Sequence, residues 1–429
     1  MTRQLPSEHS ALDADRKDEF RSRQDEFHLL PHDGAYPTIA YFAGNSLGLQ
    51  PKVTAGRMAQ ELDDWATLGV EGHLEAKRPW IDYHTYLREP AARLVGALPQ
   101  EVVMMNSLTV NLHLLMISFY RPTAERNLII IEDSAFPSDS YAVRSQAALH
   151  GFDPDDVVVR LKPREGEFVL RTEDIERYLT DNASKVALVL LGGVNYYTGE
   201  LIDIETITAA GHAAGAIVAI DLAHAAGNVP LKLHDWGVDW AAWCSYKYLN
   251  SAPGATAGAF IHERHLGNKE LPKLHGWWST SRESRFEMKP VVEEPHSADS
   301  WSVSNPPILA MAPVLASLEM FDSAGMDALR EKSIRLTAYL ESLFDVVCAD
   351  RPMRVITPRD PERRGAQLSL QLDNTDVNAF TNRLRREFGV IADARQPDVI
   401  RFAPVPMYST YHDCWRAAVA LDQIIDTLQ

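Results

Sequence analysis

Cysteine is scarce in this chain. Only Cys244, Cys348 and Cys414 occur in 429 residues, with no Cys-x-x-Cys pair. That argues against a disulfide framework and for a reducing compartment. No run of eighteen apolar residues is present; the nearest, around 213–220, is bounded by His212 and Asp221, so no membrane-spanning helix is expected. The first 27 residues are dense in charge and lack the apolar stretch of a secretory signal. A soluble, cytoplasmic protein is the expectation. Basic residues are outnumbered 42 to 59, for a formal charge of −17. A field of that sign repels phosphate backbones and anionic lipid, so neither nucleic acid nor membrane is expected as a partner. Gly254 and Gly258 match no dinucleotide fingerprint, and no phosphate-loop Gly-Lys-Ser/Thr exists, which removes NAD- and ATP-binding readings.

What is present is an ordinary globular composition, 45% apolar and 24% charged, long enough for two domains. From about residue 100, short continuous apolar runs recur at 127–132, 156–160, 186–191 and 216–220. Such runs fit strands buried on both faces of a parallel sheet. Helical stretches lie between them, for example 205–214, closed by Gly215. The alternation predicts an α/β layer architecture with a mostly parallel sheet. One further strand is expected at 256–261. Asn305-Pro306-Pro307 breaks the pattern, and a long helix follows at 308–322. Beyond it the reading is a smaller α+β domain, with strands at 354–357, 367–372 and 399–403 and a helix at 377–388. The expected organisation is an N-terminal segment, 1–75, packing on the other domains, a large domain, 76–310, and a small C-terminal domain, 311–429.

The chemistry centres on Lys247, in Trp243-Cys-Ser-Tyr-Lys-Tyr-Leu-Asn250, which follows Asp221-Leu-Ala-His224 by 26 residues. An apolar strand ending in Asp-x-x-His, then an aromatic-rich strand ending in lysine, suits pyridoxal phosphate (PLP). The amine condenses with the cofactor aldehyde, and the aspartate holds a proton on the pyridine nitrogen. An unpaired ammonium among apolar neighbours otherwise costs several kcal/mol. Ser107 and Thr109 precede an amphipathic helix with Leu112, Leu115, Met116 and Phe119 on one face. They sit where free amides bind phosphate, although a simple helix cap looks the same. Phe136 could stack on a flat ring and Asp139 bond within the site; a proline-directed turn with a capping aspartate explains that run equally well. His224 could face Asp221 or the cofactor's phenolic side, or be a core histidine. Arg401, among apolar neighbours, needs an anion: a substrate α-carboxylate or a structural acid. His262-Glu263-Arg264-His265 has its histidines three apart, not the four of a helical zinc motif, so no metal is expected.

These segments resemble the kynureninase family, PLP hydrolases of the aspartate aminotransferase-like fold (fold type I). The resemblance rests on Tyr41-Phe-Ala-Gly-Asn-Ser-Leu-Gly-Leu-Gln-Pro-Lys52, Lys77-Arg-Pro-Trp80, Met105 to Met116, Phe136-Pro-Ser-Asp139 and Tyr196-Tyr-Thr-Gly199. It continues through Asp221-Leu-Ala-His224, His234 to Asp239, Cys244 to Asn250, Gly276-Trp277, Ser304-Asn-Pro-Pro-Ile308 and Arg401-Phe-Ala-Pro-Val-Pro406. The runs around Lys247 and Asn305 are the more specific. The resemblance implies Lys247 as the cofactor-linked lysine, Asp221 as the pyridine partner and Phe136 as the stacking ring. Leu108, Thr109, Asp139, His224, Tyr246, Trp277 and Asn305 complete the implied cofactor pocket, with Trp277 and Asn305 reaching it from the other subunit of a homodimer. Arg401, His73, Asn305 and Ser46 are the implied substrate contacts. One position departs, since relatives often carry a hydroxyl residue where this chain has Gly192.

The implied reaction is hydrolysis of L-kynurenine, or its 3-hydroxy form, to anthranilate or 3-hydroxyanthranilate and L-alanine, in tryptophan catabolism or NAD biosynthesis. Lys247 would remove the α-proton, and Tyr246 would donate a proton as the carbon–carbon bond breaks. A cysteine desulfurase or aminotransferase of the same fold is the nearest rival. A desulfurase needs an exposed, mobile cysteine, whereas Cys348 ends the apolar run Leu343-Phe-Asp-Val-Val-Cys348 and reads as core. A non-catalytic PLP-binding regulator would need a basic DNA-binding module, which the acidic balance does not offer.

Overall fold

The computed structural model describes residues 4–427. Its larger sheet has seven strands: β1 (Val102–Met104), β2 (Leu128–Glu132), β3 (Val158–Leu161), β4 (Val186–Gly192), β5 (Ile217–Asp221), β6 (Trp240–Trp243) and β7 (Gly258–Ile261). Their order in space is β1-β7-β6-β5-β4-β2-β3. The five neighbours from β6 to β3 are parallel, and β7 runs antiparallel to both β6 and β1. Alternate side chains enter opposite layers: Val189 and Leu191 join the core on one face, Leu188 and Leu190 that on the other. Burying each such aliphatic side chain contributes roughly 1.5–3 kcal/mol. The unbroken apolar runs follow from this double burial.

Two of the expected strands shift. At 156–160 the chain first makes a helical turn, Pro154–Val157, capped by the Asp153 side chain on Asp155 N, and the strand begins at Val158. A proline after a capping aspartate starts a helix before β-propensity takes hold. The strand before the lysine stops at Trp243, so Lys247 lies on the following loop and not at a strand end.

The smaller sheet has four antiparallel strands, β8 (Met353–Val355), β9 (Leu368–Leu372), β10 (Asp393–Arg395) and β11 (Val399–Phe402), in the order β10-β11-β9-β8. The helices Met326–Val347, Val377–Phe388 and Tyr411–Asp426 supply apolar residues to the same core. Near the N-terminus, Glu8–Lys17 packs on Tyr411–Asp426, and Lys52–Leu68 on Ile308–Ala324. Ala40–Tyr41 pairs in parallel with Val390–Ile391. A few residues on, Gly48 N donates to the Tyr246 carbonyl at 2.8 Å. A Cβ on Gly48 would sit 2.5 Å from the Lys247 carbonyl oxygen, so this close approach excludes a side chain. No single helix among the described residues is long and apolar enough to cross a membrane.

Candidate active site

In an open α/β sheet, ligands sit beyond the carboxyl ends of the parallel strands. Here β2 ends in Glu132, β4 in Gly192 and β5 in Asp221, and the loop after β6 carries Tyr246 and Lys247. A cavity of about 370 Å³ opens there. Ser46, Leu108, Thr109, Phe136, Asp139, Asp221, His224, Tyr246 and Lys247 line it, all of them expected from sequence. Asn45, Ser138, Glu132, Tyr196 and Arg395 line it too and were not expected.

Lys247 Nζ lies 3.1 Å from His224 Nε2 and 5.7 Å from the centre of the Phe136 ring. Burial, and then the Lys247 charge, push the His224 pKa well below its ordinary value. The imidazole is therefore neutral and accepts from the lysine amine, and its buried Nδ1 has no partner. Asp221 and Asp139 hydrogen-bond to each other. Burial raises both, and the neighbouring Asp221 charge raises Asp139 further. Asp221 also accepts from Ala223 N at 2.6 Å and feels Lys247, so the pair holds its proton on Asp139 and its charge on Asp221. Burial holds the Tyr246 phenol above its usual range, which keeps it protonated.

The helix Leu108–Phe119 begins in the cavity wall, and its N-cap Ser107 makes no side-chain capping bond. Its first amides and the Thr109–Ser138 hydroxyl pair, 2.8 Å apart, form an anion cradle. Phe136 precedes the helix Pro137–Leu149 and is 41% exposed, its ring edge-on to Tyr196. Asn106 and Asn250, on either side of these loops, have φ of 49° and 56°, and asparagine tolerates that left-handed region. A Cβ on Gly192 would meet Glu132 Oε1 at 3.0 Å. The Glu132 carboxyl accepts from Gly192 N and is pushed up to about 7 by burial. The absence of a side chain at Gly192 thus leaves room for the Glu132 carboxyl.

Four expected residues do not line the cavity. Arg401 is fully buried and pairs with Asp393, while its Nη1 donates to the Tyr196 carbonyl at 2.7 Å. His73, Trp277 and Asn305 lie on the exposed surface of the same chain. His73 stands edge-on to Trp80 and shares an open apolar hollow with Trp65 and Pro307–Ala310. Cys348 caps the helix Met326–Val347 away from the cavity, half-buried and packed against the edge of the small-sheet core, its thiol pushed up to about 12 by burial. His262 meets Glu101 and His234, residues distant in sequence, with possible ligand atoms within 4.8 Å of one another. Those atoms are engaged in hydrogen bonds: Glu101 Oε1 accepts from Glu263 N and pairs with His234 Nδ1, and His262 Nδ1 accepts from Arg264 N.

Solved structures of similar shape include a cystine C–S lyase, C-DES, in complex with cysteine persulfide (TM-score 0.77, 18% identity, covering 90% of this chain and 97% of that one). Another is a cysteine desulfurase from Thermococcus onnurineus (TM-score 0.75, 15% identity, 91% and 95%). The residues present fit PLP: an amine nucleophile, a buried acid pair for a pyridine nitrogen, an exposed flat ring and an anion cradle. Fold and site define a PLP-dependent enzyme of fold type I. A family model, the kynureninase C-terminal domain, matches residues 329–421. Kynureninases from Salinispora tropica (64% identity over 93% of this chain and 94% of that protein) and Koribacter versatilis (52%, 96% of each) are similar nearly end to end. The chain belongs to the kynureninase family, and its cofactor is PLP.

Proposed function

We propose that the enzyme hydrolyses 3-hydroxy-L-kynurenine and L-kynurenine, releasing 3-hydroxyanthranilate or anthranilate and L-alanine. The observation that carries this reading is the Lys247–His224 contact beside the Asp221–Asp139 pair, in a chain 64% identical to a kynureninase. When bound, the cofactor would supply an electron-accepting ring joined to the substrate amino group, which acidifies the α-hydrogen and, once water has added to the side-chain ketone, lets the carbon–carbon bond break to leave the aromatic acid. Asp221, kept charged, would hold a proton on the pyridine nitrogen. Phe136 would cover the ring, and the cradle at Leu108 and Thr109 would hold the phosphate. The Lys247 amine would take the α-proton, with neutral His224 as its hydrogen-bond acceptor. Tyr246, which keeps its proton, delivers it to the carbon that cleavage leaves behind. Arg401 receives the substrate carboxylate, and Ser46 faces the substrate.

The working form is a homodimer. Trp277 and Asn305 of each subunit complete the partner's cofactor pocket, and His73 reaches its aryl site. What supports this is their exposure on the surface of their own chain, together with exposed Trp65, Val70 and Leu74 nearby. The location is the cytoplasm and the setting tryptophan catabolism or NAD biosynthesis. Purified protein with PLP should release L-alanine from either substrate in step with the aromatic acid. Sulfide from cysteine without alanine from kynurenine would reject the reading.

A further inference from the structure

β10 lies antiparallel to β11 with Asp393 directly opposite Arg401. Side chains two apart on a strand share a face, so Arg395 joins Asp393 and Arg401 on one side of this hairpin. Ala394, Ile400 and Phe402 occupy the other side, against the small-domain core. Asp393 Oδ2 accepts from Arg401 Nη2 and forms an ion pair, at 3.0 Å, with Arg395 Nη2. Arg401 is 0% exposed, and its Nε is buried without a partner. Arg395 lines the cavity with its side chain 32% exposed, and its Nε is also unpartnered. Two cations thus share one carboxylate at the edge of a cavity that must admit another.

We propose that Asp393 is a resident stand-in for the substrate's α-carboxylate, which gives up Arg401 on substrate binding and is received by Arg395. The proposal rests on Arg401 as the carboxylate clamp. A fully buried guanidinium without an anion is strongly destabilising, so Arg401 needs a resident partner whenever no substrate carboxylate is bound. Asp393 fills that role from the opposite strand. Were Asp393 then left alone, substrate binding would exchange one unpaired charge for another. Arg395 removes that cost because it already holds the same oxygen. It is a positioning residue acting through Asp393, and the pair sets how strongly an incoming carboxylate must compete.

The test uses the cofactor-loaded enzyme and L-alanine, which carries the α-amino and α-carboxylate groups, with binding followed by the visible absorbance. Asp393→Asn removes the competitor and should tighten alanine about tenfold and lower KM. Asp393→Ser should act with the same sign. Arg395→Met leaves Asp393 to Arg401 alone; it should weaken alanine about tenfold and raise KM more than it changes kcat. In the Asp393→Asn background the Arg395→Met effect should vanish. Weaker alanine binding in both Asp393 variants would overturn the proposal. So would an Arg395→Met effect of equal size in both backgrounds, which would make Arg395 a direct contact. Arg401→Leu in the same assay separates the two readings: unchanged affinity there rejects the clamp itself, whereas lost affinity with a failed Asp393 arm rejects only the stand-in.

Discussion

Lys247 Nζ and His224 Nε2 lie 3.1 Å apart, a lysine held by a histidine that burial keeps neutral. The imidazole can therefore accept from the amine without repelling it, which orients the nucleophile over the cavity while leaving it free to react.

Lys247→Ala should abolish turnover and the visible absorbance of the lysine-linked cofactor while the far-UV circular dichroism stays native. The loop tolerates the change because the Gly48 and Asn250 contacts there use the backbone carbonyls of Tyr246 and Lys247. Asp221→Asn should keep bound cofactor but lose most activity, since the charge that holds the pyridine proton is gone. Wild-type rates in either variant would refute the assigned role.

Arg401→Leu should raise KM strongly and lower kcat as well, a loss of about 2–4 kcal/mol for a bidentate, charge-assisted contact that also aligns the α-hydrogen. Steady-state kinetics with kynurenine decides it. Unchanged kinetics would leave Arg401 as the structural partner of Asp393 and nothing more.

The fold was legible where burial on both faces left a signal. The run Val186–Gly192 reads as a central strand because no residue in it meets water freely. β1 and β10, three residues each at sheet edges, carry too few side chains to show a period. In the site, Lys247, Asp221 and His224 stood out as costly groups among apolar neighbours. Glu132 and Arg395 did not, because each looks like an ordinary charged residue ending a strand. Glu132 ends its apolar run as Asp221 does, which was the one available clue. Arg395 could be found only by pairing β10 with β11, and single-strand reading misses a partner that arrives from the next strand.

Glu132 gives a pH signature. Burial holds its folded pKa at about 7, above the ordinary 4.5. Folding therefore favours the protonated acid. That stabilisation is complete below the unfolded value and is lost as the pH rises through about 7, a change on the order of 3 kcal/mol. Cofactor-free protein should melt at a lower temperature at pH 8 than at pH 5, and Glu132→Gln should flatten that slope. An equal slope in the variant would place the titration elsewhere.

The proposed dimer makes His73 a candidate determinant of substrate choice. A buried phenolic hydroxyl needs a hydrogen-bond partner, which an imidazole can supply and an apolar ring cannot. 3-Hydroxykynurenine should show the higher kcat/KM, and His73→Phe should shrink the ratio by about fivefold. A clear wild-type preference for unsubstituted kynurenine would sink this assignment and leave the reaction untouched.

The stretch from Ala40 to Gly48 is stitched to Val390–Ile391 at one end and to the Tyr246 carbonyl at the other, with Asn45 and Ser46 in the cavity wall between. It is one of several ties between the small sheet and the large one, beside the Tyr196 and Tyr197 carbonyls that accept from Arg401 and Ser369, and it is the tie that brings Asn45 and Ser46 to the lysine cavity. Tuning in this enzyme therefore need not touch the site: a substitution under Val390, in the small core, can reset the distance across the cavity.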